Sequence, residues 1–436
     1  MKRSVVIVSS LLMAALSWCA AAQDTVRIGI ERGLDVRIPI AVPPFATVEP
    51  ELGPVAREMA EVVAKDLDFS GLFLLLPPEQ YPPGFTMLSP DVTQLRFDAW
   101  RGTKAEHLVY GTVSRQGSEL VGQFRLFDLF AKEQVVGQEL RVAREHPRLA
   151  AHRFSEEIIR FLDGVPGIGT TEICFSAGQT GKKEIYVADY DGANVKQATK
   201  HNSISIKPKM SPDGNRIAYL SYKDRYSFLY IYDRRTGESV PLSKEVGLNS
   251  APAWAPDGNR IAMTLSKDGN TEIYLRDPDG KDPVRLTKNK DGDTSPIFSP
   301  DGNRIAFVSD RGGAPQIYGM NVDGSNVSRL SHQGGSSYDP AWSPDGKYIA
   351  YVVEARGEGL EIYVMNADGT NPRRITNTHG SNESPSWSPD SRHIVYMSTR
   401  TGTAELWTAT LESGLERRVG RLWLRCEGPN WGPRRR

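Results

Sequence analysis

The chain has 436 residues, and its 53 Lys and Arg are balanced by 53 Asp and Glu. That balance excludes a general electrostatic affinity for nucleic acid or for an anionic membrane surface. Hydrophobic residues make up 39%, which suits soluble globular structure, and 40 Gly with 29 Pro point to a turn-rich, largely β architecture.

The N-terminus reads as a targeting segment. Lys2 and Arg3 precede an apolar run, Val5–Leu16, that is short for a bilayer span. Ala20-Ala21-Ala22 then offers a small-residue cleavage site, which predicts a signal peptide over 1–22 cut between Ala22 and Gln23. The competing readings are an uncleaved anchor and lipidation of Cys19. Against the second, Trp18 is large where lipoprotein sites carry a small residue. No later stretch is apolar enough to span a membrane. The mature chain is therefore expected to be exported, soluble and free of direct membrane insertion.

Residues 23–165 lack any repeat. "TVRIGI" and "RIPIAVPPF" read as strands, and Pro54–Leu67 spaces Val55, Met59, Val62, Val63 and Leu67 as on a helix. "GLFLLLP" predicts a buried strand and "VTQLRFDAW" a short helix. Three strands follow, in "AEHLVYGTVSR", "LVGQFRLFDLF" and "EQVVGQELRV". "PRLAAHRFSEEIIRFLDG" predicts a closing helix that starts at Pro147. This order implies a small α/β domain, joined by the linker Gly164–Gly169 to residues 166–436.

From there the sequence repeats. "SPDGNRIA" stands at Ser211 and again at Ser299, with near-copies from Ala255, Ser343 and Ser388. The prolines that open each unit lie at 208, 252, 296, 340, 385 and 429, spaced by 44, 44, 44, 45 and 44 residues. Each unit parses into four short strands with Pro-Asp-Gly or Asp-Gly turns, the signature of a β-propeller blade. Third strands such as "EIYVA" (184) and "ELWTA" (405) number six. Glu172–Thr199 has no first strand before it, and "GPNW" near the C-terminus is a first strand with nothing after it. The expected fold is thus an α/β N-terminal domain followed by an all-β six-bladed β-propeller closed by a C-terminal first strand. That closure sets Cys174 and Cys426 about four residues apart along paired strands, roughly 13 Å at strand rise. A disulfide needs Cα atoms within about 7 Å, so two thiols are expected.

Enzyme signals are thin. G-x-S-x-G, H-E-x-x-H and P-loop patterns are missing, and the seven His have no metal-ligand spacing. Asp213, Asp257, Asp301, Asp345 and Asp390 sit in Pro-Asp turns, and Asp191, Asp279, Asp323 and Asp368 precede Gly. Their expected role is turn capping rather than calcium binding. Trp254, Phe298, Trp342, Trp387 and Trp431 recur in first strands and are expected to pack between blades. The residues before each repeat Pro vary: "ISIK" (204–207), "LNS" (248–250), "DTS" (293–295), "SYD" (337–339), "NES" (382–384) and "CEG" (426–428). Varied polar loops on a repeated scaffold are where binding sits, so these are expected to ring one channel mouth.

The order of signal peptide, "VRIGI", "PIAVPPF", "VAKDLDFSGLF" and blades ending in "GPNW" resembles the TolB family, periplasmic components of the Tol–Pal system. The resemblance covers nearly the whole mature chain. It implies a periplasmic, non-enzymatic, monomeric adaptor without cofactor or metal, acting in cell-envelope integrity and division. It also implies that the propeller mouth holds the lipoprotein Pal, through Leu248, Asn249, Ser250, Asp293, Thr294, Tyr338, Asp339, Glu383 and Ser384. The N-terminal arm Gln23–Leu34, beginning Gln23, Asp24, Thr25, Val26, Arg27 and Ile28, would reach TolA. The alternative is a metal-dependent propeller hydrolase, which needs Asp or Glu side chains converging in the channel.

Overall fold

The computed structural model describes residues 37–179, 181–279, 283–355, 359–420, 422 and 425–435. The signal peptide, its cleavage site at Ala22 and Gln23, the "TVRIGI" strand and the arm Gln23–Leu34 lie outside the described residues.

The N-terminal sheet contains β1 (Ile38–Ala41), β2 (Phe73–Leu75), β3 (His107–Gln116), β4 (Glu119–Asp128) and β5 (Glu133–Ala143), in the order β2-β1-β3-β4-β5. β1 pairs in parallel with β2 and β3, and β3–β5 form an antiparallel meander. Helix α1 (Gly53–Phe69) carries the predicted apolar spacing, and Met59, Val62, Val63 and Leu67 are buried. The segment "VTQLRFDAW" is broken: a 3-10 turn at Val92–Gln94, capped by the Asp91 side chain, precedes the short helix α2 (Phe97–Arg101). Helix α3 (Pro147–Asp163) opens on Pro147 and stops where Gly164 adopts φ 87° and returns its N–H to the Arg160 carbonyl. Together α1 and α3 bury Met59, Val63, Phe154 and Ile158 against Val109 and Phe124 of the sheet.

The rest forms six four-stranded antiparallel sheets, a six-bladed propeller. The last strand, Cys426–Arg434, pairs with β6 (Thr171–Gln179), the second strand of the first blade. Trp431 faces Ile173 and Asn430 faces Cys174. Cys426 pairs with Ala177, so the two cysteines are offset along the ladder and no disulfide joins them. Burial pushes both thiols up to about 12.

Asn430 binds three blades together. Its Oδ1 accepts the Met210 N–H at 2.7 Å from the second blade, and its amide donates to Ser386 Oγ at 3.2 Å in the sixth. The Trp431 N–H also donates to Ser386 Oγ at 3.0 Å, and its indole N–H reaches Thr171 Oγ1 at 2.8 Å.

The repeated letters have repeated tasks. In the turn after the first strand of the fourth blade, Asp301 accepts Ser299 Oγ at 2.5 Å and the Asn303 N–H at 3.1 Å, while Ser299 Oγ accepts the Arg304 N–H at 2.9 Å. Asp213, Asp345 and Asp390 cap their turns alike, and Asp191, Asp323 and Asp368 cap the later turns. Partial burial works against the Asp213 carboxylate, but hydrogen bonds from Ser211 and Asn215 hold it down at about 2.

In several blades the position after this turn reaches the next blade's first-strand aromatic. Arg216 lies 4.7 Å over Trp254 and Arg304 5.5 Å over Trp342, while Tyr348 stacks on Trp387 at 6.3 Å. The indoles of Trp254 and Trp387 donate to the Lys209 and Ala341 carbonyls of the preceding blades. Deep in the third strands, the fully buried Glu272 accepts Arg285 at 2.8 Å, Thr287 at 2.5 Å and the Asn289 N–H at 3.0 Å. Glu361 accepts Arg374 at 2.6 Å, Thr376, and Asn382 at 3.0 Å. Giving both oxygens of each acid partners avoids the several kcal/mol that an unpaired buried carboxylate costs.

The α/β domain seats on the first and sixth blades through α1 and α3. Asp66 is the hub: it accepts Tyr190 Oη at 2.6 Å, contacts His152 Nδ1 at 2.8 Å and accepts the Ser155 hydroxyl. Burial alone would depress His152, but the adjoining Asp66 carboxylate wins and raises its pKa. Arg417 pairs with Asp68 at 2.8 Å, and ion pairs Arg148–Asp191 and Arg392–Asp163 flank the hub. Phe69 lies 4.5 Å from His393, which stacks on Trp431 at 6.4 Å.

Burial in this aromatic seat pushes the His393 pKa down to about 4. The unfolded chain takes up this proton from about pH 6.5 downward, whereas the folded chain takes it only near 4. Folding stability therefore falls as pH drops through that window, by about 3 kcal/mol from this group. His393→Phe should remain folded at pH 7 and lose that part of the acid slope. Urea unfolding at pH 7, 5.5 and 4.5 checks it; parallel slopes for the two proteins would refute the assignment.

Candidate functional site

Each first strand runs along the central channel and is broken at the same place. The residue before each repeat Pro takes positive φ: Lys207 54°, Ala251 49°, Ser295 51°, Asp339 44°, Ser384 55° and Gly428 56°. The ladder shifts register there in all six blades. These bulges line the channel with their prolines. Five of the six residues carry a Cβ, and such a residue in the left-handed region costs about 1–2 kcal/mol. Strain repeated around one aperture belongs to a site held in shape by its surroundings.

The aperture carries charges of both signs. A cavity of about 400 Å³ opens at the mouth between blades, where Lys207, Asp339, Glu383, Glu427 and Arg425 converge. Lys183 pairs with Glu427, and Ser384 Oγ donates to Asp339 at 3.3 Å across two blades. Burial first, then the nearby Asp339 and Glu427 carboxylates, raise the Glu383 pKa. This surface can grip a partner's polar and charged groups. Among the described residues no group of three His, Cys, Asp or Glu is placed to hold a metal.

The expected contact residues fall into three groups. Asp339, Glu383 and Ser384 meet at the charged cavity. Ser250 and Thr294 are half-buried in the first strands of the third and fourth blades, Tyr338 is half-buried beside Asp339, and Leu248 is 37% exposed in the loop before its strand. Asn249 and Asp293 are 0% exposed. Asn249 accepts Ser243 Oγ at 2.7 Å and the Glu245 N–H at 3.1 Å. Asp293 is forked by Arg311 at 2.8 and 3.0 Å and accepts Asn289 at 2.7 Å. Burial pushes its carboxyl up, against those bonds. These two residues shape the mouth from beneath its surface. Lys207 and Glu427 line the same cavity without being among the expected contact residues, although "ISIK" and "CEG" stand in the same register as the chosen loops.

Residues 160–358 and 335–435 match the family described as the TolB beta propeller domain, and 26–135 match the TolB amino-terminal domain. The chain belongs to the TolB family. A relative from Cereibacter sphaeroides, "Tol-Pal system protein TolB", is 33% identical over 51% of this chain and 51% of its own length. One of the same name from Methylobacillus flagellatus is 33% identical over 53% and 52%. The chain thus spans about half the length of these curated relatives. The crystal structure of TolB from Acinetobacter baumannii superposes with a TM-score of 0.81 at 26% identity, covering 92% of this chain and 97% of the other. In this TolB-family chain no described helix is long and apolar enough to cross a membrane.

The burial of Glu383, with like charges beside it, has a thermodynamic consequence. A carboxyl whose folded pKa is raised destabilises the fold at pH values where it is ionised. Glu383→Gln should therefore stabilise the protein at pH 7 by roughly 0.5–2 kcal/mol, with the gain fading towards pH 4. Denaturation midpoints at the two pH values measure it; a variant less stable at pH 7 would mean that Glu383 is a structural anchor.

Proposed function

We propose that this chain is a non-enzymatic, monomeric adaptor of the Tol–Pal system in the periplasm, supporting outer-membrane integrity and constriction at division. It is exported by a signal peptide over 1–22, and 23–165 and 166–436 act as an α/β domain and a propeller. Pal occupies the mouth built by Leu248, Ser250, Thr294, Tyr338, Asp339, Glu383 and Ser384, with Asn249 and Asp293 beneath. TolA takes the arm Gln23–Leu34.

The observation that carries this reading is the ring of six pre-proline bulges, five of them strained, around one charged aperture. A rigid concave mouth loses little entropy on binding a folded partner. An arm with a strand-like pattern suits pairing to a partner's sheet edge. Such a device recognises surfaces and performs no bond chemistry.

Calorimetric titration of the mature chain with the soluble domain of its own Pal tests the reading. Micromolar or tighter binding is expected, weakened at least tenfold, about 1.4 kcal/mol, by Tyr338→Ala with Glu383→Ala. Removal of 23–34 should abolish TolA binding and spare Pal binding. An absence of complex, or an unchanged affinity for the double variant, removes the mouth as Pal's site.

A further inference from the structure

On the side of the Pro-Asp-Gly turns, blades one to three enclose a second cavity of about 850 Å³. This is well within the size range of small-molecule sites. Five arginines line it, Arg216, Arg234, Arg235, Arg434 and Arg435, against three acids.

Glu172 is held in ion pairs, and the two aspartates are held in their turns by neutral donors. Glu172 accepts Arg234 at 2.7 Å and Arg435 at 3.2 Å. Asp213 accepts Ser211 and both nitrogens of Asn215, and Asp257 accepts the Asn259 N–H at 3.0 Å. Arg435 also reaches Asp189 at 2.8 Å, and Arg235 pairs with Asp233 at 3.3 Å.

Two of the arginines have acidic neighbours only through space: the Asp213 carboxylate acts on Arg216, and Glu156 and Asp390 act on Arg434. Arg216 is held flat over Trp254 at 4.7 Å, and its side chain makes one long bond of 3.4 Å to the Gly258 carbonyl. Arg434 is half-buried and spends two N–H groups on the Gly167 and Pro166 carbonyls at 2.6 Å. Among the described residues, neither forms an ion pair. Burial pushes the Arg434 pKa down, with Glu156 and Asp390 opposing from a distance and Arg392 reinforcing. A half-buried guanidinium with no carboxylate in direct contact gains from a ligand that supplies one.

The stacked arginine alone is a feature of the repeat, because Arg304 sits likewise over Trp342. What is particular here is ring closure. The C-terminal strand brings Arg434 to the same cavity as Arg216, and Pro433 packs beside the Gly214 turn. Two guanidinium forks, one fixed by an aromatic face and one by main-chain carbonyls, match the planar oxygen pairs of phosphate and carboxylate groups.

We propose that this cavity is a second ligand site, separate from the charged mouth, which binds a multivalent oxyanion of the phosphate or polycarboxylate class between Arg216 and Arg434.

The test is thermal unfolding of the purified mature chain with sodium pyrophosphate and with citrate, against sodium chloride at equal ionic strength. A saturable rise in Tm beyond the chloride control is expected for at least one of the two anions. Arg216→Gln should raise the half-saturating concentration at least tenfold, and Arg304→Gln, in the equivalent place of the fourth blade, should leave it unchanged. Arg434→Gln should act like Arg216→Gln if it folds; the Arg216 and Arg304 pair decides the matter if it does not. Flotation with phosphatidylglycerol vesicles separates the sources: flotation sensitive to Arg216→Gln assigns a lipid headgroup, and none, with the Tm response intact, assigns a soluble anion. A response no larger than that to chloride, or equal responses in the Arg216 and Arg304 variants, overturns the site.

Discussion

Ring closure is the constraint on which the rest of the molecule rests. A linear array of sheets would leave edge strands open to other chains; a closed ring shields them. Here the last strand supplies the first blade's innermost position, and Asn430 and Trp431 reach the first, second and sixth blades at once. The same short segment forms the wall against which His393 and Phe69 pack. Closure and the seating of the α/β domain are therefore one packing problem, solved around one tryptophan.

Closure also explains why strain can be kept at the channel. Each bulge is pinned from behind by a hydrogen-bonded strand and from the side by the next blade. The stacked Arg216–Trp254 and Tyr348–Trp387 pairs repeat that lateral support. The buried acids Glu272 and Glu361, each with arginine and threonine partners, tie the outer strands to the frame. A frame so fixed leaves the residues before each proline free to vary in chemistry without altering the backbone. Glu383 beside Asp339 and Glu427 is the result: a local electrostatic cost on a scaffold that can bear it.

The sequence was most informative where the physics is local or periodic. The 44-residue spacing and the unmatched first strand at Pro429 foretold six blades, the closing strand and the offset of Cys174 from Cys426. Asp-Gly and Pro-Asp-Gly foretold capped turns because that hydrogen bonding spans only two residues. The mouth was legible as a set of loops but not residue by residue. Which side chain faces the channel depends on where the bulge falls, and Ala251, Ser295 and Asp339 give no hint in their letters of a left-handed backbone. Asn249 and Asp293 consequently turn into the blades. The hub at Asp66 was invisible, since His152 and Tyr190 lie 86 and 124 positions away. No local pattern announces such a meeting.

The central claim is that the strained, charged aperture is the face this TolB-family chain offers to its partner. Hydrogen–deuterium exchange with and without the soluble domain of its own Pal addresses that directly. The account predicts slowed exchange in the peptides around Tyr338–Asp339, Glu383–Ser384 and Cys426–Gly428, with the Pro-Asp-Gly turns unchanged. Protection confined to those turns, or to the α/β domain, would contradict it and move the binding face to the other side of the ring.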